Sequence, residues 1–433
     1  MPRQRLCVRA FPRQTIFITQ CHSLSWRGKL TDTDVIIVGG GPSGSTAARR
    51  LAQAGISVTL LDKAVFPRQK PCAGAIRNEV SAALDFDISG VIQRKISGLA
   101  IVSPSGIRVD CIPEDRSKPG HTIMREDFDH LLLKKAEEAG AVVQEQCKVV
   151  EVSQDSAGVT VKTEDGREIR GRFLVGADGI NSIVAKQLGF YERWSSDSAM
   201  VAIEIEAEVG AEKVHEICRD PTGYDADIFF LYFGDVPHGY TWCFPKKMHL
   251  SLGICCRQDK AKNIRAAYQR WYERFADEHQ IEPKIVSDSA ARFPVRPSPT
   301  LMRGRTLLVG DAAGFVDSFT GEGIPYAIRS GIAAAEALTR AVEKNDTRGL
   351  QRYVELCKKN ILKDLKVSDS MAKMFYKSTK NMETLCRFFR DDSYASYLIA
   401  ASIGGLLPMG TVKRKLTLRM LRKRPRDAIS LVR

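Results

Sequence analysis

Three runs of apolar, mostly β-branched or leucine residues along the chain each end in a glycine-rich turn. The first, Asp34-Val35-Ile36-Ile37-Val38, is continuous rather than alternating, as a strand buried on both faces requires. It enters Gly39-Gly40-Gly41-Pro42-Ser43-Gly44. Small and apolar residues then recur at helical spacing through Ala47, Ala48, Leu51 and Ala52, and Gly55 stands where that helix would end. A second strand, Val58-Thr59-Leu60-Leu61, delivers Asp62, 23 positions after Gly39. The second run, Phe173-Leu174-Val175, ends in Gly176-Ala177-Asp178-Gly179, with Ser182 close behind. The third, Thr306-Leu307-Leu308-Val309, ends in Gly310-Asp311. It precedes Thr320-Gly321-Glu322-Gly323-Ile324, which opens a long helix through Ala327, Ile328, Gly331 and Ala334. Residues 99–109 and 199–256 alternate apolar and polar positions instead, predicting a sheet with one covered face. From residue 345 onward the pattern is helical and increasingly basic.

These elements predict an α/β chain: a discontinuous Rossmann-like dinucleotide-binding domain over residues 31–98, 120–189 and 294–342, and an inserted antiparallel-sheet domain over 99–119 and 190–293. Residues 343–433 form a C-terminal helical segment, and residues 1–30 a basic, disordered extension. In the first unit Gly39 permits the tight turn, Gly41 lets the backbone approach a pyrophosphate, and Gly44 lets the helix pack on the strand. The free N–H groups of the helix that begins at Pro42 and Ser43 face the phosphates, and Asp62 stands where a carboxylate takes the ribose hydroxyls. A lone glycine loop is weak evidence. Strand, loop, helix, strand and acid in register are strong.

The formal charge of +14 looks like a nucleic-acid signature until it is located. Residues 1–30 hold six basic residues and no acid, residues 411–433 hold nine against Asp427, and the body between sums to zero. Basic ends on a neutral body argue against nucleic acid and for an anionic surface, a membrane face above all. Lys413, Arg414, Lys415, Arg419, Arg422, Lys423 and Arg424 interleave with Leu416, Leu418, Met420 and Leu421, as an interfacial helix or a solvated tail would. No stretch reaches the roughly 20 apolar residues of a membrane span; residues 394–409 come nearest and read as a segment that lies on a bilayer. The 11 cysteines form no CxxC pair and no metal-ligand spacing, which predicts no metal and a reduced, cytoplasmic setting.

NAD and FAD enzymes share the first unit, and the two later turns decide between them. Gly310-Asp311 followed by Gly321-Glu322-Gly323 lets Asp311 reach a ribityl–pyrophosphate region, and the helix from Gly323 points its positive end at a flavin ring. The cofactor read from these residues is FAD.

At these residues the chain resembles FAD oxidoreductases of the p-hydroxybenzoate hydroxylase fold, over about residues 31–400, and within them the geranylgeranyl reductase family. Lys70-Pro71-Cys72-Ala73-Gly74-Ala75-Ile76 is similar to the family segment that passes beside the flavin. Tyr240-Thr241-Trp242-Cys243-Phe244-Pro245 with Gly253 is similar to its YxWxFP…G signature, and the block from Gly310-Asp311 to Gly331 matches almost residue for residue. Ala73, Cys255 and Ser318 depart from the family's usual Gly, Gly and Pro. The resemblance implies a cofactor set of Gly39, Gly41, Pro42, Ser43, Gly44, Asp62, Lys63, Cys72, Ala73, Gly74, Arg125, Asp178, Gly310, Asp311, Gly321, Gly323 and Ile324.

It also implies the reaction: saturation of isolated double bonds in a prenyl chain on a lipid, by hydride from reduced FAD plus a proton, with NADPH or ferredoxin as external reductant. Tyr240, Trp242 and Phe244 alternate along one strand, so all three project from one face and are candidates to stabilise developing positive charge; the competing reading is core filling. Cys72 is a candidate for proton relay or substrate positioning, against the reading of a small buried hydrophobe. The expected partner is a prenylated lipid, met in peripheral contact with a membrane through the basic C-terminus; a monomer is compatible with the sequence, which leaves the oligomeric state open. The alternatives are a flavin monooxygenase of the same fold and a flavoprotein that binds prenyl lipid without turnover.

Overall fold

The computed structural model describes residues 31–432; the basic extension of residues 1–30 lies outside them. Its first sheet has the order Met302–Arg303, Thr306–Leu308, Glu168–Gly176, Thr31–Val38, Val58–Leu61, Val142–Gln144. The Thr31–Val38 strand pairs in parallel with Glu168–Gly176 on one side and Val58–Leu61 on the other. All three apolar runs therefore finish at the same sheet edge, where a parallel sheet presents its ligand crevice. Val35, Ile36, Ile37, Leu174 and Val175 have no exposed surface, as continuous apolar strands require. The Pro42–Gln53 and Ile324–Lys344 helices cover one face of this sheet and pack tightly on each other: a Cβ on Gly331 would lie 2.5 Å from the Ser43 carbonyl oxygen.

The second sheet runs Lys284–Pro294, Ala199–Glu208, His249–Arg257, Gly239–Pro245, Asp227–Tyr232, Ile92–Val102, Gly120–Ile123, Ala75–Ile76. It reaches further upstream than the alternation over residues 99–109 indicates. Ile92–Val102 is one unbroken strand that begins inside the stretch assigned to the nucleotide domain, and Ala75–Ile76 and Gly120–Ile123 pair into this sheet too. Short strands that carry the chain between sheets have too few residues to show a period.

The expectation of one covered face is also corrected. On the central strands Ile203, Ile205, Leu252, Ile254 and Cys243 pack under the Ile264–His279 helix through Tyr268, Trp271 and Phe275. The opposite face is covered as well, by the first domain and the C-terminal helices. Polar residues at alternate positions there, such as Glu204 and Glu206, are buried rather than solvated.

Residues 394–409 turn much of their apolar surface into the protein, with Tyr394 exposed and Ile403, Leu406 and Leu407 half-buried. Up to Ile403 they belong to the Ser393–Ile403 helix, whose Ala395, Leu398, Ile399 and Ala400 are buried inside the protein. The following Met409–Lys423 helix turns Val412 and Met420 inward and is pinned at Asp392, which accepts from Arg419 at 2.7 Å and lies 3.0 Å from Lys423. Among the described residues no helix is long and apolar enough to cross a membrane.

Candidate active site

A single cavity of about 630 Å³ runs from the glycine loop at the edge of the first sheet to the face of the second. At the loop end, Gly39 has φ +107°, and a Cβ there would meet the Ala177 carbonyl oxygen at 2.3 Å; only glycine allows the two adjacent strand ends to close so tightly. The Asp62 carboxylate accepts from the Gly40 N–H at 2.6 Å and the Ala64 N–H at 2.8 Å, which holds it at the cavity wall. The Pro42–Gln53 helix has no side-chain cap at Gly41, so its first N–H groups remain available to an anion. Asp178 accepts from the Ile183 N–H through Oδ2, while its buried Oδ1 has no partner; burial raises the pKa of this carboxyl. An unsatisfied buried oxygen, an uncapped helix start and a fixed carboxylate along one wall fit an extended dinucleotide.

Pro42, Ser43, Lys63, Cys72, Ala73, Gly74, Asp311, Gly321, Gly323 and Ile324 line the same cavity. Gly44 and Gly310 do not: Gly44 packs against the Gly39 carbonyl, and Gly310 lies beside the Ser43 side chain and donates its N–H to Ser330 Oγ at 3.0 Å. Both act through packing.

Midway along the cavity, Arg125 forms a bidentate pair with the fully buried Asp129, at 2.8 and 2.7 Å, and Arg68 reaches the same carboxylate at 3.1 Å. Burial works against the charge of Arg125, and Asp129 more than offsets it, so its pKa is raised and the guanidinium stays charged. Cys72 is a free thiol, half-buried, beside Arg125. The loop that carries it is fixed by Lys246, which is fully buried and donates from Nζ to the carbonyls of Ala73 at 2.7 Å and Ile123 at 2.6 Å. The loop before the long helix is held from three sides. Asp317 accepts from the Phe319 and Thr320 N–H groups, Tyr240 donates its hydroxyl to the Thr320 carbonyl at 2.6 Å, and Arg77 pairs with Glu322.

The far wall is the second sheet, and its register explains the aromatic signature. Tyr240 stands opposite Cys255, Trp242 opposite Gly253 and Phe244 opposite Ser251, while one strand further on Ala202, Glu204 and Glu206 complete the same three rows. All three aromatics are buried and line the cavity, and Phe244 stacks on Phe229 with centroids 4.3 Å apart. Trp242 lies across the strand beside it: a Cβ on Gly253 would meet its Cζ2 at 2.2 Å. Any side chain at that position would lift the indole off the sheet. Trp242 Nε1 then donates to Ser251 Oγ at 3.2 Å, and Ser251 donates to Glu204 Oε1 at 2.6 Å.

Glu204, Lys246, Arg68 and Asp129 belong to this site but are absent from the set read in the sequence. The strand Ala199–Glu208 alternates like a half-exposed one, so its glutamates looked solvated; their signal was two carboxylates on the face that also carries the aromatic signature. Glu206, next along that face, is 4.0 Å from Lys246, and burial pushes its pKa up to about 7.

Gly253→Ala is expected to displace the Trp242 indole and to cost about 1–3 kcal/mol of stability through overpacking. Tryptophan fluorescence and urea denaturation check it; unchanged emission and midpoint would contradict the close contact.

Comparisons with known proteins agree with this geometry. Residues 32–364 match the FAD binding domain family. The chain is 31% identical to the chloroplastic geranylgeranyl diphosphate reductase of Oryza sativa subsp. japonica over 86% of its own length and 82% of the relative's. It is 29% identical to the digeranylgeranylglycerophospholipid reductase of Methanothrix thermoacetophila, over 77% and 84%. Among solved structures, a geranylgeranyl bacteriochlorophyll reductase-like protein of Thermoplasma acidophilum superposes with TM-score 0.76 at 23% identity, covering 90% of this chain and 99% of that one. The fold is shared with a flavin-dependent brominase, at TM-score 0.69 and 18% identity, over 91% and 100%. The chain is a member of the geranylgeranyl reductase family of FAD-dependent oxidoreductases.

Proposed function

We propose that this enzyme saturates isolated double bonds of a geranylgeranyl chain carried on a lipid. The observation that carries the reading is the continuity of one cavity from the dinucleotide loop to the face bearing Tyr240, Trp242 and Phe244. An isoprenoid needs a long apolar slot, and its trisubstituted alkenes have no carbonyl to polarise them. Reduced FAD, itself recharged by a nicotinamide or ferredoxin donor, supplies the hydride for such a reduction. The chain's own residues do the rest. Gly39, Gly41, Ser43, Asp62 and Asp178 hold the dinucleotide, and the helix from Ile324 directs its positive end at negative charge in the cavity. Trp242 and Phe244 exclude water and favour positive charge at a tertiary carbon by about 1–2 kcal/mol each. Tyr240 works differently: its hydroxyl is committed to the Thr320 carbonyl, so it positions the loop that ends at Gly323.

The lipid is met, in this reading, at the Met409–Lys423 helix. Leu418 and Leu421 are 62% and 49% exposed there, with Arg414, Arg422 and Lys423 around them. Exposed leucines among cations suit an anionic interface.

Incubated anaerobically with a reductant and a geranylgeranyl lipid, the enzyme is expected to add two hydrogens per double bond, read by mass spectrometry. Trp242→Ala should keep FAD bound and lose turnover by about tenfold or more, the equivalent of some 1.4 kcal/mol. Incorporation of an oxygen atom with oxygen consumption would instead favour monooxygenase chemistry, and full turnover in the variant would remove the indole from the mechanism. Binding to phosphatidylglycerol vesicles, measured by sedimentation, should fall about tenfold in Leu418→Glu/Leu421→Glu; equal binding would move the membrane contact elsewhere.

A further inference from the structure

We propose that Glu204 is the acid that protonates the alkene. Resting on the prenyl-reductase reading, this assigns the proton, for which the family-like segments offer only Cys72 as a candidate. Glu204 lies on the Ala199–Glu208 strand, is 3% exposed, and borders the cavity in the same sheet row as Trp242. Its Oε1 accepts from Ser251 Oγ at 2.6 Å, and Ser251 in turn accepts from Trp242 Nε1 at 3.2 Å. The carboxyl is thereby fixed beside the indole, where charge on a tertiary carbon would be stabilised.

The groups around it decide its protonation. Ser251 faces it from the neighbouring strand, the Cys72 backbone N–H from the loop at the cavity's middle, and Lys246 and Arg125 add positive charge from two further elements. Glu206, on its own strand, adds a like charge when ionised. Burial outweighs the donors and cations and raises the Glu204 pKa. Cys72, the other candidate for the same task, lies beside the Arg125 guanidinium and outside the Trp242–Ser251–Glu204 hydrogen-bond chain.

The step balances. The alkene π bond opens, its less substituted carbon takes the proton of the Glu204 O–H, and the tertiary carbon would take the hydride that reduced FAD, when bound, supplies as the two-electron reductant. Glu204, left as a carboxylate, recovers a proton from solvent before the next double bond. Because the acid form is the active one, turnover falls as pH rises through the Glu204 pKa.

The test has two readings. Infrared spectroscopy of the wild-type protein near neutral pH should show the carbonyl stretch of a protonated, buried carboxylic acid that disappears in Glu204→Gln. In anaerobic single turnover, Glu204→Gln should bind FAD, accept electrons and bind the prenyl lipid as wild type does, yet reduce the alkene about 100-fold more slowly, with the alkaline fall in rate abolished. Turnover within threefold of wild type would overturn the assignment, as would an infrared spectrum with Glu204 ionised; the latter is taken on wild type and does not depend on the variant folding. Failure of wild type itself to reduce any prenyl lipid would instead sink the underlying reading.

Discussion

Lys246 has no exposed surface, and its Nζ spans from the end of the aromatic strand to the carbonyls of Ala73 and Ile123. A buried amine is costly unless each proton finds an acceptor, so the loop with Cys72 and Gly74 cannot leave the second sheet without stranding it. Gly74 accepts the contact because a Cβ there would meet Nζ at 2.4 Å. The cavity depends on this junction. On one side of it lie the glycine loop and Asp62; on the other lie Trp242 and Glu204; Lys246 fixes the distance between them.

Much of this was legible in the sequence because the physics was local. A continuous apolar strand, a glycine loop, a helix and Asp62 must fold into one unit, and the structure places Gly39, Gly41 and Asp62 on the cavity wall as that unit requires. The alternation of Tyr240, Trp242 and Phe244 likewise survives unchanged, because side chains two apart on a strand share a face whatever lies opposite. What the signature could not reveal is the division of labour within it: the Tyr240 hydroxyl is tied to a backbone carbonyl, while the Trp242 indole lies flat over Gly253.

The illegible part is long-range. Asp129 pairs with Arg68 across the cavity wall, Glu322 with Arg77 from the far end of the chain, and Glu204 receives its hydrogen bond from a strand 47 residues on. Nothing in the local pattern distinguishes such carboxylates from solvated ones. The C-terminal helices show the converse. Apolar residues after residue 393 looked available to a bilayer, but packing against the sheet and neighbouring helices buries many of them, among them Ala395, Leu398, Ile399 and Ala400, and leaves Leu418 and Leu421 as the exposed pair of the Met409–Lys423 helix.

A cavity that joins the dinucleotide loop to an aromatic wall gives the proposed prenyl reduction one test that does not depend on any variant: electrons stored on the bound flavin should leave through an alkene. The direct measurement is the visible spectrum of the reduced, FAD-loaded enzyme mixed with a geranylgeranyl lipid in the strict absence of oxygen. The account predicts that the oxidised flavin absorbance returns in proportion to the double bonds lost. A flavin that stays reduced until oxygen is admitted, with the lipid unchanged, would contradict it.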